Sequence, residues 1–367
     1  MQPVRAPGRL LRHPEESPPA HLPELLRPGR HLAVYRGATG PGPVSGPATA
    51  PDAGLEVLFQ EVSRGLGGPR KTLPPKLFYD ARGARLFVEI TRLEEYYPTR
   101  TELGILEHCL PEVARQVGPR ARVVEFGSGS GEKTWKLLEA LEDPAACIPI
   151  DIAREQLLDF ARTIRAEHPG MRVEPLHTDY TRPYRLPWPD TGDGRTLFFF
   201  PGSTVGNFEP EEAARFLGNM ADAGDGDSLL LLGVDLEKPA RVVEPAYNDE
   251  AGVTAAFNRN ALRNLNALLG ADFDPEAFEH RAPWNPEESR IEMHLVSRRD
   301  QTVMVPHPGG DPALEVPFQA GDVIVTEHSY KYDRERLARL VAAGGWTARQ
   351  TWTDERDWFA VQLLERG

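Results

Sequence analysis

The sequence predicts a doubly wound α/β domain, and three features carry that prediction. Apolar runs of strand length recur from residue 121 onward, amphipathic segments of helix length separate them, and a glycine-rich turn follows the first run. Candidate strands lie at 122–126, 148–152, 172–176, 197–200 and 229–234. Between them 133–141, 154–166 and 210–221 read as helices, the last two with apolar residues three and four apart. Further on, 253–269 reads as a helix, while 291–297 and 323–328 alternate apolar and polar residues as half-buried strands do. The chain ends with a helix at 333–343 and apolar runs at 347–352 and 359–364, and no internal repeat is present.

With 367 residues and 40% hydrophobic content, the chain is long enough for about two domains around a large core. Residues 1–54 hold 11 of the 35 prolines among Gly, Ala and Arg, which favours a flexible extension over helix or sheet. A net charge of −13 argues against a nucleic acid partner, because neutralising a phosphate backbone needs clustered Lys and Arg. The two cysteines, Cys109 and Cys147, are too few for a disulfide framework and lack metal-ligand spacing. They fit a reducing cytoplasm, and no metal is expected. Neither a membrane-spanning apolar run nor a secretory signal is visible, so a soluble, intracellular protein is expected.

The turn after the first strand reads Glu125-Phe126-Gly127-Ser128-Gly129-Ser130-Gly131, followed at once by Glu132-Lys133-Thr134. Glycines at a strand-to-helix turn let a ligand approach the backbone closely. A dinucleotide fingerprint needs its third glycine where Glu132 stands, and a phosphate-cradling loop needs glycine there too. An anion at that place disfavours both. S-adenosylmethionine carries no phosphate and is cationic at its sulfonium and amine, so an acidic loop edge suits it. Gly127, Ser128, Gly129 and Lys133 are the loop's cofactor candidates. Asp151 ends the second strand, where a carboxylate accepts ribose hydroxyls; its alternative reading is the cap of the helix that starts at 154. Asp179 and Tyr180 follow the third strand, where the carboxylate meets an adenine amine and the ring its face. In an open parallel sheet all of these converge on one crevice outside the strands' carboxyl ends.

A second set lies on the same edge. After the fourth strand, Pro201-Gly202-Ser203-Thr204-Val205-Gly206-Asn207 leaves room for a substrate, with an ordinary glycine-rich turn as the alternative. Around Tyr96 and Tyr247, aromatic hydroxyls sit among polar residues, as in amino acid carboxylate sites or in plain packing.

These segments together resemble the ergothioneine-pathway histidine Nα-methyltransferases, over roughly 58–365. The likeness is carried by Leu73-Pro74-Pro75-Lys76-Leu77-Phe78-Tyr79-Asp80, by the glycine loop, by Pro149-Ile150-Asp151-Ile152, by Gly233-Val234-Asp235-Leu236, by Arg290-Ile291-Glu292-Met293-His294 and by Thr326-Glu327-His328-Ser329-Tyr330-Lys331-Tyr332. Glu94 stands where that family usually has Pro, and Ala84 where it has Ser.

The resemblance implies a Rossmann-like S-adenosylmethionine-dependent methyltransferase core, 101–237 plus 332–367, and a second α+β substrate-binding domain, 55–100 plus 238–331. It implies that Tyr96, Asn207 and Tyr247 hold the carboxylate of a free L-histidine, and that Glu327 and Ser329 hold its imidazole. Thr254 and Met293 line the pocket, Gly202 and Thr204 border it, and Tyr79 lies near the reacting amine. Its alternating register puts Glu327 and Ser329 on one strand face. The implied reaction is three methyl transfers to the α-nitrogen, giving hercynine; a monomer without membrane or nucleic acid partners is expected. Phe87 and Phe257 face the cationic product or simply belong to the core. Rival readings are methylation of another amino acid such as tryptophan or tyrosine, a binding module without chemistry, and a dehydrogenase.

Overall fold

The computed structural model describes residues 53–129, 131–181, 186–187, 194–224 and 226–367. The extension expected at 1–54 therefore falls almost wholly outside the described residues, as does Ser130 of the glycine loop. The described residues pack as one compact unit around two main sheets.

The larger sheet has eight strands. Arg122–Phe126 lies at its centre, flanked in parallel by Ala146–Asp151 on one side and Thr196–Phe200 on the other. Leu229–Asp235 continues in parallel beside Thr196–Phe200, and the antiparallel pair Phe359–Arg366 and Trp346–Thr353 closes that edge. The opposite edge carries two short pieces, Arg172–Val173 and Leu176–His177, where the sequence predicts one strand at 172–176. Strand order reverses across Arg122–Phe126, so the turns after this strand and after Thr196–Phe200 border one crevice at the switch point.

Both faces of this sheet are covered, which is why its strands read as continuous apolar runs. Val124, Phe126, Ile148 and Leu230 face a core shared with helices Pro210–Ala223 and Arg334–Ala343. Val123, Cys147, Leu197 and Leu231 face the other way, against helices Tyr97–Val117, Glu132–Ala140 and Arg154–Glu167. A separate core lies under the second sheet, where Arg290–Ser297 pairs antiparallel with Val323–Tyr330 and with Phe278–Arg281. Helix Val253–Leu269 packs Phe257, Ala261, Leu262 and Leu265 onto it, with Leu58, Phe59 and Val62 of helix Ala53–Leu66 joining from the start of the chain.

The expected domain limit at 100/101 falls inside helix Tyr97–Val117, which bridges the two halves. Four helices were not readable from spacing: Ala53–Leu66, Ala81–Ile90, Tyr97–Val117 and Ala240–Tyr247. Two of them contain an internal proline, Pro111 and Pro245, and the packing of their buried faces outweighs the helix-breaking tendency.

Candidate active site

The crevice at the switch point opens into a cleft of about 1160 Å³ between the two sheets. At its inner end the glycine loop turns through Gly127 (φ +73°) and Gly129 (φ +51°), a left-handed path that keeps side chains away from a ligand. Asp151 fixes this loop: one carboxylate oxygen accepts the Gly129 amide at 3.1 Å and the other accepts the Ala153 amide at 2.8 Å. It does not cap the following helix, whose N-cap is Ala153, and it keeps free lone pairs toward the cleft. Asp179 also lines the cleft, holding Thr181 through its amide at 3.1 Å, while Lys76 approaches its other oxygen at 3.6 Å. The Tyr180 ring packs on Phe126 and Phe216, and it faces the loop.

The opposite wall comes from the second sheet. Met293 pairs directly with Glu327, and Ile291 with Ser329, so register brings the residues of two distant strands to one face. A bulge beside Met293 skips Thr326 in the pairing and re-aims this stretch toward the cleft. Thr326 donates to Asn258 and to the Met293 carbonyl, which pins the bulge. Asn207, on the turn after Thr196–Phe200, donates to Glu327 at 3.2 Å and thereby ties the two halves together across the cleft. Tyr247 meets Ser329 at 2.8 Å, and its ring lies edge-on to Tyr96 at 6.2 Å. Behind it, His280 donates to the Tyr247 carbonyl.

Tyr79 completes the constellation from a loop clamped by helix Val253–Leu269, since Asn260 and Asn264 donate to the Phe78 and Leu77 carbonyls. The rings of Tyr79, Phe87 and Phe257 stand 5.6 to 6.1 Å apart and all border the cleft. Gly202, Thr204 and Thr254 line it as well.

Electrostatics separate the acids. Burial pushes the Glu327 carboxyl up to about 7, partly opposed by the Lys331 ammonium. Burial, with Glu327 and other acidic neighbours, raises the Tyr79 hydroxyl well above the ordinary tyrosine range, so it stays protonated.

Two predicted cofactor residues do not line the cleft. Lys133 turns instead to Glu102, and the Ser128 hydroxyl points to Asp151 at 3.5 Å. Glu102, which sequence reading missed, is 1% exposed and also accepts the Gly202 amide at 2.9 Å. It sets the turn beside Asn207, and Gly233 exists for it, because a Cβ there would overlap its carboxylate. No local signal marks Glu102, which lies on a helix about 100 residues from its partner. Asp235 and Lys331, also unassigned by sequence, form a buried pair behind Tyr247.

Comparison with known proteins decides the family. Residues 58–366 match the family described as histidine-specific methyltransferase, SAM-dependent. The chain belongs to this family. Within the histidine-specific methyltransferases, it is 42% identical over 321 residues to a histidine N-alpha-methyltransferase of Mycolicibacterium smegmatis, covering 86% of this chain and 97% of that one. A histidine N-alpha-methyltransferase of Mycobacterium tuberculosis is also 42% identical, over 318 residues and with the same coverage. More distant is a 4-dimethylallyltryptophan N-methyltransferase of Claviceps purpurea, 28% identical over 324 residues, with 81% of this chain and 92% of that one covered. Among the described residues no helix is long and apolar enough to cross a membrane.

Proposed function

We infer that this enzyme transfers methyl groups from S-adenosylmethionine to the α-amine of free L-histidine, three times in succession, yielding hercynine, the first step of ergothioneine biosynthesis. The observation that carries this reading is one cleft wall on which a buried carboxylate, Glu327, and a hydroxyl two residues on, Ser329, stand beside Tyr247 and opposite Asp151 and Gly129. A ring bearing N–H groups suits that wall, because a charge-assisted bond to Glu327 is worth about 1.5 to 3 kcal/mol. An indole, with a single N–H and a larger ring, uses the pair less well.

Gly127, Gly129, Asp151, Asp179 and Tyr180 would hold the cofactor. The fit rests on the left-handed glycines, which open the loop to a ligand, and on carboxylates suited to a cation and to ribose hydroxyls. When bound, S-adenosylmethionine supplies an electrophilic methyl group on a sulfonium. The protein's own work is positioning. Asn207, Tyr96 and Tyr247 take the substrate carboxylate, and Glu327 and Ser329 the ring, so the α-nitrogen is held at the inner end of the cleft. Tyr79 keeps its proton and orients the amine rather than deprotonating it. The rings of Tyr79, Phe87 and Phe257 favour the quaternary ammonium that the third transfer forms.

This reading keeps the monomer that the sequence leads one to expect. Both cysteines are free and buried, in keeping with the reducing cytoplasm. Incubation with histidine and S-adenosylmethionine, followed by mass spectrometry, is expected to show products with one, two and three added methyl groups. A panel of the twenty amino acids in which histidine gives no product would overturn the assignment.

A further inference from the structure

Behind the substrate wall lies a buried charge cluster that does not border the cleft. Lys331 is 1% exposed, and its ammonium donates to Asp235 at 2.9 Å, to the Tyr247 hydroxyl at 2.8 Å and to Ser329 Oγ at 2.8 Å. All three of its N–H donors are thus committed. Asp235 also accepts from Lys238 at 2.7 Å and from the Tyr97 hydroxyl at 2.7 Å, so the ammonium is fixed from behind and cannot swing away.

The consequence falls on the two hydroxyls. Each oxygen accepts from Lys331, and the oxygens lie 2.8 Å from one another, so one hydroxyl proton occupies the line between them. A single hydroxyl proton then remains for a ligand. When Tyr247 gives its proton to a substrate carboxylate, Ser329 must give its own to Tyr247. Ser329 Oγ is then left facing the substrate ring with a lone pair and no proton.

We propose that Lys331 is a positioning residue that sets the hydrogen-bond direction of Tyr247 and Ser329, so that binding of the substrate carboxylate makes Ser329 an acceptor that demands a ring N–H. This rests on the histidine reading above and deepens it: the pocket selects a ring that donates, and the carboxylate end of the substrate enforces that choice at the ring end. Among the described residues, no other cation contacts both hydroxyls.

The test is the ratio of kcat/KM for histidine to that for 3-(4-thiazolyl)alanine, an analogue whose ring has no N–H. In Lys331→Met this ratio is expected to fall about tenfold, the loss of one directed hydrogen bond to a charged network, while the Kd for S-adenosylmethionine is unchanged. In a Ser329→Ala background the same Lys331 substitution is expected to leave the ratio where Ser329→Ala alone put it, since the lysine acts on the ring only through that hydroxyl. Tyr247→Phe keeps the lysine and removes the oxygen that takes the Ser329 proton. It is expected to lower the same ratio, and it answers the question should Lys331→Met fail to fold. A ratio that stays at the wild-type value in Lys331→Met or in Tyr247→Phe overturns the proposal, and so does a full Lys331 effect persisting without Ser329. Wild-type protein that turns over no histidine refutes the functional reading itself, whereas active wild type with an unmoved ratio refutes only the role of Lys331.

Discussion

Replacing Glu327 by Gln should make the free protein more stable and the enzyme worse. The side chain is 8% exposed, and burial lifts its carboxyl from the ordinary 4.5 to about 7. A carboxyl that is harder to ionise when folded contributes its full stability below its unfolded value and loses it as pH rises toward the folded one. Wild type is therefore expected to lose about 3 kcal/mol relative to Glu327→Gln as pH rises from 4.5 through 7, levelling off by about pH 8. Gln retains an oxygen for the Asn207 amide, so the cross-cleft bond at 3.2 Å survives. Thermal unfolding followed across this pH range should show the variant's Tm equal to wild type near pH 4.5 and several degrees higher at pH 8. In the same protein KM for histidine at pH 8 should rise about 10- to 100-fold, the cost of a lost charge-assisted bond. A variant that is less stable than wild type at pH 8, or that binds histidine equally well, would refute the claim that this carboxylate is held buried for a ligand.

Gly233→Ala should push Glu102 off the Gly202 amide; overpacking of about 1 to 3 kcal/mol is expected as a lower Tm, together with a loss of turnover read by product mass. Asp151→Asn should weaken S-adenosylmethionine binding about tenfold or more in a calorimetric titration, because it replaces one acceptor oxygen by a donor beside the glycine loop. Tyr79→Phe should lower kcat while leaving the shape of the pH–rate profile intact, since a hydroxyl raised far above its ordinary range does not titrate in the working interval; a displaced alkaline limb would show that it does.

Spacing makes part of the cleft legible in the sequence, because it places residues at the ends of neighbouring strands, whereas the substrate roles of Tyr79, Tyr96, Tyr247, Glu327 and Ser329 come only with the family resemblance. The glycine turn, Asp151, Asp179 and the turn through Asn207 each follow an apolar run, and a parallel sheet collects such ends on one edge. Glu327 and Ser329 share a face by strand alternation, and helix Val253–Leu269 follows directly from its apolar period. What spacing does not carry is long-range pairing. Glu102 meets Gly202 and Lys133 only because helix Tyr97–Val117 packs along the large sheet, and Pro98 and Pro111 disguise that helix. Lys133 occupies a position in the loop-to-helix turn that suggests a ligand contact, yet the buried Glu102 carboxylate claims it. Lys331 and Asp235 come together through a bridge between Leu236 and Tyr332, a contact no local pattern announces.

Central to all of this is that one cleft presents the α-amine, rather than the ring, of histidine to the methyl donor. Histidine labelled with nitrogen-15 at the α-position, converted by the enzyme and examined by NMR, locates the new methyl groups directly. All three should couple to the labelled nitrogen, and a methyl on either ring nitrogen would contradict the orientation assigned to Glu327, Ser329 and Tyr247.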